Sequence, residues 1–145
     1  MMATSFGMAL GGWLTGRMPR AYALVLFLLF ETVAMLGYSL ISAGDMFTIW
    51  LAVIAEHVAG GMATAALFTV MMDRCREHSE GADYAFQSCV VIITGMVAGA
   101  LSGYSATHIG YAGHFTVAAA LCAAVISIVV MAQRRGLFLT LRFSH

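Results

Sequence analysis

The chain has 145 residues, of which 61% are hydrophobic and 10% charged, and its formal net charge is zero. A soluble domain carries about 25% charged residues, and a globule of this length cannot enclose so much apolar surface. We therefore expect the outer surface of the protein to face membrane lipid. The sequence contains no basic tract, which argues against nucleic-acid binding.

Four apolar runs reach the ~20 residues that a helix needs to cross a bilayer core. In chain order they are 21–43, 47–72, 84–106 and 114–133, and a shortened apolar segment precedes them at 2–16. Barrel strands would be shorter and would alternate strictly, whereas these runs are continuous. The sequence therefore predicts an all-α membrane protein, with a helical bundle at 1–133 and a tail at 134–145.

The arginines indicate the orientation of these helices. The chain has no lysine, and every arginine precedes the first full run, separates the second from the third, or follows the fourth: Arg17, Arg20, Arg74, Arg76, Arg134, Arg135 and Arg142. They all fall on one side, and the positive-inside rule makes that side cytoplasmic. We expect a multi-pass protein of the bacterial inner membrane whose C-terminus is cytoplasmic.

Small residues mark two faces for helix packing. Gly95, Gly99 and Gly103 recur every four residues and so share one helix face. A second group lies in the run at 47–72: Gly60, Gly61, Ala63, Ala65 and Ala66. Such faces let helices approach closely in lipid.

Polar side chains within the apolar runs are the candidates for function. Glu31 lies near the middle of its run, and Glu56 and His57 lie close to the middle of the next. A carboxylate at that depth costs about 2.5–3.5 kcal/mol unless it faces water, pairs or is protonated. We interpret these residues, with Gln87, as candidates for a substrate or proton pathway; the alternative is a protonated carboxyl satisfied by a neighbouring helix. Direct pairing of Glu56 with His57 is not expected, because adjacent helical residues point about 100° apart.

Nothing in the sequence favours an enzyme. The residues show no catalytic triad, paired-carboxylate active site or phosphate-binding glycine loop, so we expect no cofactor. The cysteines, Cys75, Cys89 and Cys122, lack metal-type spacing. We interpret all three as reduced and structural, and we expect no metal.

The segment from Gly12 to Arg20 resembles the loop signature of major facilitator superfamily transporters, G-x-L-x-D-R-x-G-R. Gly12, Leu14, Arg17 and Arg20 match it, whereas Gly16 and Pro19 replace the usual Asp and Gly. The resemblance implies a partial C-terminal bundle of that family: the end of helix eight, followed by helices nine to twelve.

Within the superfamily, the chain looks most like AmpG-like permeases, especially the RhtX/FptX siderophore-uptake branch. The segments that carry this resemblance are a glycine-rich stretch, an aromatic-Gln start to one helix and a Gly-aromatic start to the next: 60–69 with Met72 and Asp73, 83–87 and 110–115.

The resemblance implies a fragment of a secondary transporter, with proton-coupled siderophore uptake as the leading function. The alternatives are the same fold carrying muropeptide or acyl-CoA-type solutes, or a small non-transporting protein that packs with partner helices. Such transporters bind solute between two six-helix halves. The expected partners are therefore lipid, a small-molecule solute, and the missing N-terminal half or a complementing chain.

Overall fold

A computed structural model of the chain describes residues 2–40 and 46–135. The described residues form four helices and no strands: α1 (Met2–Thr15), α2 (Arg20–Leu40), α3 (Met46–Asp73) and α4 (Glu80–Arg134). Three of them, α2, α3 and α4, are long and apolar enough to cross a membrane. The prediction of an all-α membrane protein is confirmed. Residues 41–45, which include the end of the predicted run 21–43, and the tail from residue 136 lie outside the described residues.

Proline and glycine separate the first two helices. Gly16 follows the last residue of α1, and Pro19 immediately precedes α2 and disfavours helical geometry at Met18. The carbonyl of Pro19 accepts hydrogen bonds from the amides of Tyr22 and Ala23, which begin α2. The shortened segment at 2–16 is therefore a separate helix.

Helix α3 lies between α1 and α2 and packs against both, while α1 and α2 hardly contact each other. The core forms where small residues of α3 meet α2: Ala23, Leu24, Phe27, Met62, Ala63 and Ala66. Alanines on both helices bring the backbones close, and van der Waals packing of this kind drives helix association in lipid.

The fourth helix is two helices joined at one residue. Gly110 has φ 73° and ψ 167°, a region that is essentially open only to glycine. We call residues 80–109 the first arm and 111–134 the second arm. The predicted runs 84–106 and 114–133 leave seven residues between them; in the structure a single glycine makes the break, and helical residues flank it directly.

The chain folds back at Gly110. Ser102 Oγ lies 3.1 Å from His114 Nε2, whereas twelve residues of straight helix would separate these positions by about 18 Å. The second arm runs antiparallel to α2. Tyr38 stacks on Phe115 with ring centroids 4.6 Å apart, and Val129 packs at the other end against the core.

Candidate polar site between the helices

Glu31 reaches from α2 across to α3. Its Oε1 lies 3.5 Å from the position that a Cβ on Gly60 would occupy. Gly60 is one helical turn beyond Glu56, so the two residues share a face of α3. The two carboxylates therefore lie on facing helices about one turn apart, and a side chain larger than alanine at position 60 would displace that of Glu31.

The Glu56 and His57 side chains are in contact, which corrects the expectation that they would not pair. Glu56 Oε2 lies 2.6 Å from His57 Nδ1, and the same nitrogen lies 2.9 Å from the carbonyl oxygen of Val53. The flexible glutamate side chain overcomes the 100° offset by bending toward the ring. Both oxygens accept, so Nδ1 carries the proton and donates to both, and the ring itself is half-exposed.

Two further polar side chains lie near the carboxylates. Tyr38 of α2 is close enough to Glu56, and Cys122 of the second arm close enough to Glu31, for electrostatic interaction. The cluster thus draws on α2, α3 and α4. Cys122 was interpreted as structural, and no sequence pattern links it to residue 31, because their proximity depends on how the second arm packs along α2.

Gln87, the fourth candidate for the pathway, lies elsewhere. Its Nε2 is 3.8 Å from the sulfur of Cys75, a residue that follows the last turn of α3. The structure brings Glu31, Glu56 and His57 together and leaves Gln87 beside the turn that joins α3 to α4.

The loop-signature residues occupy distinct positions at the junction of α1 and α2. Arg20 pairs with Asp73 at the end of α3. The Arg17 guanidinium lies 3.6 Å from the centroid of the Trp13 ring, a cation–π arrangement. Gly12 lies on the exposed side of α1.

The turn between α3 and α4 carries a second ion pair. Asp83 accepts hydrogen bonds from the Arg76 side chain, at 2.8 and 2.9 Å, and from its backbone amide, at 2.9 Å. These bonds, which favour the ionised carboxylate, lower the pKa of Asp83 to about 2. The bonds hold the start of α4 against the turn.

The glycines meet very different surroundings. A Cβ on Gly11 would lie 2.6 Å from Met62 Cα, and Gly7 and Gly61 contact the backbone across the same α1–α3 interface just as closely. Gly95, Gly99 and Gly103 have no such neighbour within 4 Å. Their packing role remains a prediction that concerns a helix outside the described chain. Gly61, on the α3 side of this contact, belongs to the predicted packing face, whereas the α1 side was missed, although the four-residue spacing of Gly7 and Gly11 was the available signal for it.

In the described part of the chain, no group of three His, Cys, Asp or Glu side chains is arranged to hold a metal ion. The polar cluster offers carboxylates, an imidazole and a phenol. Such groups can bind and release protons or hydrogen-bond a solute.

Comparison with known proteins identifies permeases as relatives. The chain is 27% identical to the anhydromuropeptide permease of Escherichia coli (strain K12) over 133 residues, which are 89% of this chain and 27% of that protein. It is 25% identical to an AmpG protein of Rickettsia prowazekii (strain Madrid E) over 124 residues, 84% of this chain and 30% of that one. These relatives are transport proteins and not enzymes.

The chain spans less than a third of the length of these relatives. No protein-family model matches it, and no solved structure does. The similarity to AmpG permeases extends over most of the chain, and with the long apolar helices it indicates a multi-pass membrane protein.

Proposed function

We propose that this chain is part of a membrane permease that carries muropeptide-type solutes. The observation that carries the proposal is the similarity to an anhydromuropeptide permease over 89% of the chain. The leading sequence-based hypothesis, siderophore uptake, finds no support among the relatives described above, so its muropeptide alternative takes its place. Because the chain spans only 27% of that permease, transport would belong to a larger assembly.

Within that assembly, we assign the solute or proton pathway to Glu31, Glu56 and His57. An ionised carboxylate within a bilayer is tolerated where it meets water or a partner. Glu31 reaches across to the face of α3 that bears Glu56, and His57 contacts Glu56. Two carboxyl groups and an imidazole, placed between two helices, are suited to couple proton movement to a change in helix packing.

The test is a chimera in which this chain replaces the matching region of the Escherichia coli permease. We expect the chimera to take up labelled anhydromuropeptide, and unlabelled anhydromuropeptide to compete. Glu56→Gln should abolish uptake or uncouple it from the proton gradient, because the amide is nearly isosteric but cannot exchange a proton. Glu77→Gln, which alters an exposed carboxylate in the charged turn, is the matched control and should leave uptake unchanged.

An epitope tag measures the amount of chimera in the membrane, so that uptake is compared at equal expression. Competition by a ferric siderophore and not by anhydromuropeptide would overturn the assignment of the solute. Normal coupled uptake in the Glu56→Gln chimera would remove Glu56 from the pathway. The 145-residue chain expressed alone should give background uptake, and strong uptake would contradict its assignment as part of a larger permease.

A further inference from the structure

The elbow at Gly110 is bridged by a closed hydrogen-bond network. His114 Nδ1 lies 2.6 Å from Ser105 Oγ, and His114 Nε2 lies 3.1 Å from Ser102 Oγ. Ser105 Oγ donates in turn to the carbonyl of Ser102, at 3.0 Å. With a neutral imidazole, each of these groups has a hydrogen-bond partner: Nδ1–H donates to Ser105 Oγ, and the Ser102 hydroxyl donates to Nε2.

Gly110 itself does little to fix the angle between the two arms. Glycine lacks the Cβ that restricts φ and ψ in other residues, so the backbone at this position can adopt several conformations. At the network, an open cleft of about 560 Å³ lies between the arms and is lined by residues of both, Ser102 and His114 among them. At the hinge itself Ile109 packs against Gly113, whereas on the open side of the elbow the hydrogen bonds of His114 bridge the two arms.

The first arm depends on its two ends for its position. At its start, Tyr84 lies against Phe68 with ring centroids 6.2 Å apart, and Gln87 contacts Cys75. Every residue from 92 to 101 is exposed. Further along, Ser102 and Ser105 contact His114 across the elbow, so the network is a second anchor of this arm.

We propose that His114, with Ser102 and Ser105, is a latch that sets the angle between the arms of α4 at Gly110. His114 acts as a positioning residue: it holds the exposed first arm, and with it the face of Gly95, Gly99 and Gly103, at a fixed orientation to the α2–α3 bundle. This role does not depend on which solute the permease carries.

The test measures the distance between the arms directly. The full chain is placed in lipid nanodiscs with its three cysteines changed to serine, and spin labels are attached at Leu101 and Leu121, which are 61% and 64% exposed on opposite arms. Pulsed electron-spin measurements should give one narrow distance distribution for the parent chain. His114→Ala should broaden the distribution and shift it, since both bonds across the elbow are lost.

His108→Ala is the matched control, because the hydrogen-bond and ring partners of this second histidine, Tyr104 and Thr107, lie on its own arm. It should leave the distribution unchanged. His114→Gln, which can still donate and accept one hydrogen bond, should restore part of the narrow peak. Ser102→Ala added to His114→Ala should change nothing further, because the two side chains act through one another.

An unchanged distribution in His114→Ala, or equal broadening in His108→Ala, would overturn the latch. Fluorescence of Trp13 and Trp50, which lie on α1 and α3, reports whether the rest of the bundle keeps its fold. If His114→Ala fails to insert, the same measurement is made on Ser102→Ala and Ser105→Ala. Each should broaden the distance distribution, and an unchanged distribution in one of them would refute the proposal.

Discussion

The α1–α3 contact and the first arm of α4 both carry glycines at four-residue spacing, and they use them in opposite ways. At the first contact, Gly7 and Gly11 are buried against the backbone of α3, and Gly61 is buried against α1. On the first arm, Gly95, Gly99 and Gly103 are exposed and touch no neighbouring helix. The same spacing therefore marks a finished interface in one region and an unoccupied face in the other.

A small-residue face shows where two helices can approach closely, and not that a second helix lies there. Glycine permits close approach of two helices, but the approach itself needs a second helix whose shape fits. In α3, alanines and Gly61 provide that fit for α1 and α2 on opposite sides. Residues 92–101 of the first arm are all exposed, so within the described chain the face of Gly95 and Gly99 is open to another helix.

Substitution of the packed glycines at the α1–α3 contact should change the free energy of unfolding most. Gly11→Ala places a methyl group 2.6 Å from Met62 Cα, so α1 and α3 must separate. We expect the free energy of unfolding to fall by about 1–3 kcal/mol, the usual cost of overpacking. The measurement is a denaturation titration of the chain in mixed micelles.

Gly12→Ala is the matched control, because nothing lies within 4 Å of its Cβ position. We expect it to raise the free energy of unfolding by about 0.5–1 kcal/mol, since alanine suits a helix interior better. Equal effects of the two substitutions would show that the close α1–α3 approach does not contribute to stability. The packed and exposed glycine faces would then not differ in their effect on stability.

A smaller effect on the chain itself is expected at the exposed face. Gly99→Ala should raise the free energy of unfolding by about 0.5–1 kcal/mol, because the methyl group meets no neighbour and favours the helix. A loss of stability would mean that the face is packed after all.

Gly99→Leu tests whether this face receives a partner helix. When the chain is co-expressed with the N-terminal part of the Escherichia coli permease, Gly99→Leu should reduce co-purification, because the bulky side chain prevents close approach. Ala100→Leu, an exposed substitution about 100° around the helix, should not. Equal co-purification of both variants would remove the packing role of this face.

The sequence was sufficient for the helices and for the polar residues, because both depend on local composition. Long apolar runs must be helical in lipid, and Glu31, Glu56 and His57 stand out as polar residues within them. The sequence did not show which residues contact one another. Identical glycine spacing was assigned to packing on the first arm, and the same spacing at Gly7 and Gly11 was overlooked in a segment that looked truncated.

Other features depend on three-dimensional geometry that one sequence does not contain. The proximity of Cys122 to Glu31 depends on how the second arm packs along α2. The contact between Glu56 and His57 depends on a side-chain conformation, since backbone geometry alone separates adjacent residues. The latch of His114 likewise joins residues nine and twelve positions apart, a separation that no helical periodicity would indicate.

The ion pair between Arg76, in the turn after α3, and Asp83, at the start of the first arm, should have the smallest effect on stability. Both residues precede the predicted span 84–106. The hydrogen bonds from Arg76 hold the pKa of Asp83 at about 2, whereas an aspartate in an unfolded chain titrates near 3.9. The folded state thus favours the ionised form. The stabilisation is complete above about pH 4 and is lost as the pH falls through about 2.

The carboxyl carbon of Asp83, followed by NMR in micelles, should titrate with a midpoint near pH 2. Arg76→Gln should bring the midpoint up toward 3.9, the value typical of a free aspartate. The effect on overall stability should be small, because the Arg76 side chain is 77% exposed and water screens exposed ion pairs. A midpoint near 3.9 in the parent chain would show that Arg76 does not anchor the first arm, and would leave its start held by Tyr84 and Gln87 alone.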